Sequence, residues 1–232
     1  MDNEQKKSLT AYLRFAAQQP KGFVYSAKQA PTASPPSAPH QSLSKHEQLE
    51  KLYAKYANCM SCPLATQGRT QVVFGTGNPD AKVLFIGEGP GRDEDLQGKP
   101  FVGRAGQLLN KIIEAMGLQR DDIYISNVVK CRPPGNRTPL PNERNPCKKL
   151  LLFKEIEIIQ PKIICALGSP ATQGLLGDEV KISQVRGMFK EFQGIPVLPT
   201  YHPAYLLRNP AEKRTVWEDM KKIMARLEEL EK

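Results

Sequence analysis

The chain has 232 residues, 40% of them hydrophobic, and a formal net charge of +9. That length supports one substantial core and one or two domains, and no apolar run approaches the ~20 residues that a bilayer-spanning helix needs. The polar N-terminus has no apolar segment followed by a small-residue cleavage site, so a cytoplasmic protein is expected, and the positive charge favours a polyanionic partner, nucleic acid first.

Residues 1 to about 17 carry Leu9, Tyr12, Leu13 and Ala16 at helical spacing, which predicts a short amphipathic helix. From Gln18 to His40 the chain is rich in Pro, Ala, Ser and Gln, a composition that reads as a disordered linker. Residues 1–43 are therefore expected to stand apart from a folded unit of residues 44–232. Ser44-Lys-His-Glu47 has the form of a capping box, followed by Leu49, Leu52, Tyr53 and Tyr56 on one helical face. That helix leads to Cys59. Val83–Gly87 is an apolar strand running into a loop of glycines, prolines and acids, and Ala105, Leu108, Leu109, Ile112, Ile113 and Met116 then mark a helix that Gly117 stops.

Ile123–Val129 is a β-branched run of strand length. Leu150–Ile159 reads as helix, with its start expected near Asn142–Pro146. Lys162–Leu167 and Ile195–Thr200 are two more strands, and Asn209-Pro210 opens a last helix through Val216, Met220, Ile223, Met224 and Leu227. Strands alternating with helices predict a three-layer α/β/α fold around a mainly parallel, roughly four-stranded sheet, with the site at the carboxyl ends of the strands.

The loop after Val83–Gly87 is the leading site. Gly87, Gly89 and Gly91 allow a ligand to lie against the main chain. A dinucleotide fingerprint lacks its third glycine here, and a phosphate loop lacks its Gly-Lys-Ser/Thr ending. Glu88, Asp93, Glu94 and Asp95 would repel phosphates and instead suit water activation or hydrogen bonding to a neutral base.

Four of the five cysteines form a metal-ligand pattern. Cys59-x-x-Cys62 is a chelating pair, and Cys131 and Cys147 bracket a rigid basic, proline-rich loop. The wide second pair favours an iron–sulfur cluster over zinc, although spacing leaves both open. A 4Fe-4S cluster with a structural role, tying the first helix to the loop after Asn127, is the expected cofactor. Cys165 sits in an apolar strand as a buried thiol.

The motifs Gly87-Glu-Gly-Pro-Gly91, Gly98-x-Pro-Phe-Val-Gly103, Asn127 with Cys131-Arg-Pro-Pro-Gly-Asn-Arg-Thr-Pro139, and His202-Pro-Ala-Tyr-Leu-Leu207 occur in this order. Over about residues 46–231 the chain resembles the family 4 uracil-DNA glycosylases. The resemblance implies excision of uracil from DNA, a monomer, and base flipping into a pocket. It further implies that Phe101 stacks on the flipped ring, with Gly89 beside it, and that the Asn127 amide pairs with the uracil edge. His202 would stabilise negative charge on uracil O2.

Better-known families of this superfamily place an aspartate two residues after the first loop glycine, where this chain has Gly89. The water-orienting group therefore stays open among Glu94, Asp95, Glu88 and the backbone near Gly89, with Glu94 given the supporting role. Leu206 stands where an apolar wedge enters the vacated stack, and Arg208, Arg132, Arg137 and Lys99 are candidate phosphate contacts. A repair or replication partner for the N-terminal segment is also expected.

Overall fold

The computed structural model describes residues 43–230; the N-terminal helix and linker expected before Leu43 lie outside them. Helix α1, Lys45–Tyr56, begins at the expected box: Glu47 N–H donates to Ser44 Oγ at 3.3 Å, and Ser44 N–H donates to Glu47 Oε2 at 2.8 Å. A two-residue strand β1, Thr76–Gly77, precedes β2, Val83–Gly87.

The stretch expected as an open loop contains a short helix, α2, Arg92–Gln97, stopped by left-handed Gly98 at φ 70°. Three acids in its first turn favour the positive helix end. Then follow α3, Arg104–Ala115, and β3, Tyr124–Asn127. The next helix starts earlier than expected, as α4, Pro141–Cys147, because Pro141 and not Pro146 takes the first turn. Past Pro146 the chain makes a π-helical turn, Lys148–Leu152, and continues as α5, Phe153–Ile159.

Strand β4, Ile163–Leu167, leads to α6, Ser169–Leu176, and a short α7, Ile182–Val185. Strands β5, Lys190–Phe192, and β6, Ile195–Thr200, precede α8, Pro203–Arg208, and the last helix α9, Lys213–Leu230.

The sheet has six strands in the order β1-β3-β2-β4-β6-β5. The four central strands are parallel, as expected, and two short edge strands run antiparallel to them. From β2 the chain goes to β3 on one side and then crosses back to β4 on the other, so the carboxyl end of β2 is a topological switch point, where open α/β sheets bind ligands. Both faces are covered. Leu84 and Ile86 pack with α1, α4 and α5, whereas Val83 and Phe85 pack with α3, α8 and α9, which is why β2 and β4 read as unbroken apolar runs. Among the described residues no helix is long and apolar enough to cross a membrane.

Candidate active site

Three strand ends build the site. In the parallel register Gly87 of β2 lies beside Asn127 of β3. A Cβ on Gly87 would fall 2.5 Å from both Asn127 Oδ1 and the Phe101 ring, so only glycine admits these two side chains at the switch point. Asn127 is buried, and among the described residues its Oδ1 has no hydrogen-bond partner. Beyond β6, His202 caps α8. Its approach is fixed by Thr200, whose hydroxyl donates to Asp219 at 2.6 Å and whose carbonyl accepts from Gly168 N–H at 2.8 Å.

The His202 ring lies 5.5 Å from that of Phe101. Ala204 N–H donates to His202 Nδ1 at 3.1 Å. That bond makes Nδ1 an acceptor and leaves the proton on Nε2. Burial, then the charge of Arg208, lowers the imidazole to about 4, so it is neutral at physiological pH.

Phe101 has a left-handed backbone at φ 54°, a costly conformation for an aromatic residue. Arg120 secures it, donating to the carbonyls of Pro100 at 2.6 Å and Phe101 at 3.2 Å and to Asn110 Oδ1 at 2.7 Å. Gly106 lies directly beneath: a Cβ there would sit 1.9 Å from the Phe101 carbonyl oxygen. Neither Arg120 nor Gly106 stands out in the sequence, since their significance depends on a neighbour's φ angle.

The loop acids divide by task. Glu94 accepts main-chain N–H groups from Gly91 at 3.1 Å, Val102 at 3.0 Å and Gly103 at 2.8 Å. Asp95 is buried and accepts from Thr70 N–H at 2.9 Å. Both carboxylates hold the loop together. Glu88 faces the cleft beside Gly89; burial pushes its carboxyl up, partly offset by a hydrogen bond from Thr138 and the charge of Arg144.

These groups surround one cleft of about 540 Å³, lined by Glu88, Gly89, Phe101, Asn127 and His202, with Arg92, Arg104, Arg137 and Arg208 also in its walls. The model of the uracil DNA glycosylase superfamily matches residues 74–221. The chain is 47% identical over 183 residues to the type-4 uracil-DNA glycosylase of Thermotoga maritima, an alignment covering 77% of this chain and 94% of that protein. Identity is 45% over 187 residues to the type-4 enzyme of Sulfurisphaera tokodaii (76% and 84% covered) and 40% over 185 residues to that of Archaeoglobus fulgidus (76% and 92%).

The chain belongs to the type-4 uracil-DNA glycosylases.

Within this family member, one expected site residue is placed otherwise. Leu206 is fully buried in the core that contains Phe101, because the inward face of α8 packs on the sheet. Its neighbour Leu207 is the exposed one. The Arg137 guanidinium is engaged by buried Glu143 through bonds of 2.6 and 2.8 Å, and Arg132 Nε donates to Asn136 Oδ1 at 2.7 Å. Arg208 lies exposed at the cleft, and Lys99 is exposed outside it.

Cys131 and Cys147 are buried, Cys59 and Cys62 pack against the same core cluster, and none of the four is in a disulfide among the described residues. Their charges interact: burial and then Cys59 raise Cys62, while burial foremost, with contributions from Cys62 and Cys131, pushes Cys147 up to about 12. Two N–H donors reach sulfur, Arg69 Nη1 to Cys131 at 2.8 Å and Lys130 N to Cys147 at 3.3 Å. Among the described residues no three His, Cys, Asp or Glu side chains are placed to hold a single metal ion.

Proposed function

We propose that this protein excises uracil from DNA, flipping the nucleotide into the cleft and hydrolysing its N-glycosidic bond to leave an abasic site for base excision repair. The buried, unpartnered Asn127 Oδ1 beside Gly87 carries the reading. An orphaned buried acceptor costs about 1–3 kcal/mol, and the N3–H of uracil would satisfy it while the amide N–H₂ donates to O4. Cytosine offers an acceptor at N3 and a donor at N4, mismatched to a fixed amide. Phe101 supplies the stacking face.

As the bond to C1′ breaks, the electron pair moves onto uracil and charge collects on O2. The neutral His202 donates its Nε2–H to that oxygen without a proton having to be taken up first. Water attacks C1′ and forms the new C1′–O bond, its released proton neutralising the departed uracil anion, and we assign its orientation to Glu88, whose carboxyl, raised by burial, faces the cleft. Glu94 supports the step by holding Gly91 and Gly103 in place. Arg208 and the other cleft arginines contact phosphates, and exposed Leu207 takes the wedge role.

The four cysteines suit a structural 4Fe-4S cluster. The N–H donors that reach the Cys131 and Cys147 sulfurs, and the packing of Cys59 and Cys62 against the same core cluster, support this reading. When bound, such a cluster supplies a cross-link between the end of α1 and the segment after β3. A brown protein with iron bears this out; a colourless one with stoichiometric zinc overturns it. We further place the catalytic unit in residues 44–232, acting as a cytoplasmic monomer.

The test is release of free uracil from an oligonucleotide with one dU, against a dC control. His202→Ala is expected to lose at least about a hundredfold in rate while still binding DNA. Equal rates in variant and wild type would sink the mechanism. No release by metal-loaded wild type would favour another damaged base, or a silent DNA-binding protein.

A further inference from the structure

A fully buried ion pair lies behind the base-recognition strand and takes no part in the chemistry above. Lys130 Nζ and Glu155 Oε2 are 2.6 Å apart, and neither side chain is exposed to solvent. Lys130 Nζ also donates to the Ser126 hydroxyl and, at 2.9 Å, to the main-chain carbonyl of Asn127. Glu155 in turn accepts from Ser126 Oγ at 2.6 Å, from Tyr53 OH at 2.8 Å and from Gly75 N–H at 3.3 Å. Both charges are thus well supplied with partners.

A buried ion pair has little net advantage in stability over an apolar pair of similar volume, because desolvation consumes the Coulombic gain. What it adds is directional: a cation with three acceptors fixes where those acceptors sit. Asn127 ends β3, and the chain beyond it is tied to β2 through Val128 N–H to the Gly87 carbonyl at 2.9 Å and Val129 N–H to the Glu88 carbonyl at 3.1 Å. The carbonyl of Asn127 itself is held from the side by Lys130. The main chain of Lys130 is anchored too, its N–H on Cys147 Sγ and its carbonyl accepting from Val73 N–H at 2.7 Å.

We propose that Lys130, held by Glu155 and Ser126, is a positioning residue that locks the Asn127 amide in its base-reading orientation and so contributes to selection of uracil. The inference rests on the assignment of Asn127 to base recognition. It also links the cysteine-bearing segment to the base pocket through one residue, since Lys130 touches Cys147 with its main chain and Asn127 with its side chain.

Replacing Lys130 alone would strand a buried carboxylate, so the informative variant is the charge-free pair Lys130→Met/Glu155→Gln, beside Ser126→Ala, which removes one acceptor of Nζ and leaves both charges. The readouts are the single-turnover excision rate and the inhibition constant of free uracil, on full-length protein of assayed iron content and folding. The double variant is expected to lose about tenfold or more in rate, as small misplacements of a site do, and to bind free uracil more weakly, with DNA affinity unchanged. Ser126→Ala is expected to move both quantities in the same direction by a smaller factor.

A purely structural role would lower the melting temperature and active fraction but leave the uracil inhibition constant where it was. That result in either folded variant overturns the proposal, and if the double variant does not fold, Ser126→Ala decides alone. Wild-type release of uracil in the same assay separates failure of this inference from failure of the proposed activity.

Discussion

The His202 ring carries its proton on Nε2 because of one main-chain bond: Ala204 N–H occupies Nδ1. Its imidazole, lowered to about 4, stays neutral in the folded protein through the range where an ordinary histidine titrates. The unfolded chain binds this proton near pH 6.5. Stability from this group is therefore complete above that pH and declines as pH falls from about 6.5 toward 4. In NMR the His202 ring signals are expected to stay constant between pH 5.5 and 8, and a midpoint near 6.5 would contradict the burial argument.

Glu94 makes a second distinction at this scale. Glu94→Ala leaves three main-chain N–H groups without their acceptor and is expected to cost about 1–3 kcal/mol in thermal or denaturant unfolding. Glu94→Gln keeps an acceptor oxygen and should recover much of both stability and activity. A glutamine variant as inactive as the alanine one would instead give Glu94 a role in proton transfer.

Among the elements, α3 bears most directly on the pocket. Its residue Gly106 lets the strained Phe101 backbone rest on the helix, and Arg120 ties the carbonyls of Pro100 and Phe101 from the far side. Gly106→Ala places a methyl where the Phe101 carbonyl already lies, so Phe101 must shift. The expected result is a folded protein with KM for dU-DNA raised about tenfold, in line with other misplacements of substrate-positioning groups. Unchanged kinetics would show that Phe101 is not the stacking face. Elements also differ in how far they can be read from sequence. The strong helical periodicity of α3 and the apolar run of β2 are both evident there, whereas α2 is not, because it is a six-residue helix held by the Glu94 carboxylate bonding across to Val102 and Gly103.

At the scale of the whole molecule, part of the positive charge lies at the cleft, beside the acids Glu88, Asp93 and Glu94. Arg92, Arg104 and Arg208 line the cleft, where, on the proposed function, they neutralise phosphates and release counterions. Arg208→Ala is expected to weaken DNA binding similarly for all sequences and to reduce the slope of log K against log salt by about 0.9, measured by fluorescence anisotropy across a salt series. An unchanged slope would make Arg208 a tuner of His202 only. The charge of Arg208 already bears on the His202 imidazole, so the two residues are coupled electrostatically.

The sequence by itself determined the alternation of strands and helices, the parallel order that puts the site at the strand ends, and the motifs around Gly87, Asn127 and His202. These are local signals: periodicity, capping and glycine placement leave marks within a few residues. Tertiary structure alone decided that Leu206 faces the core and Leu207 the solvent, since one helical turn separates neither in composition. It also decided that Glu94 serves the loop while Glu88 faces the cleft, and that Lys130, Glu155 and Arg120 stand behind the base pocket. The last three depend on partners distant in the chain: Lys130 meets Glu155 across 25 residues and Arg120 meets Pro100 across 20. No local pattern encodes such pairings, because the energy that selects them comes from burial and hydrogen bonding completed only when the sheet has assembled.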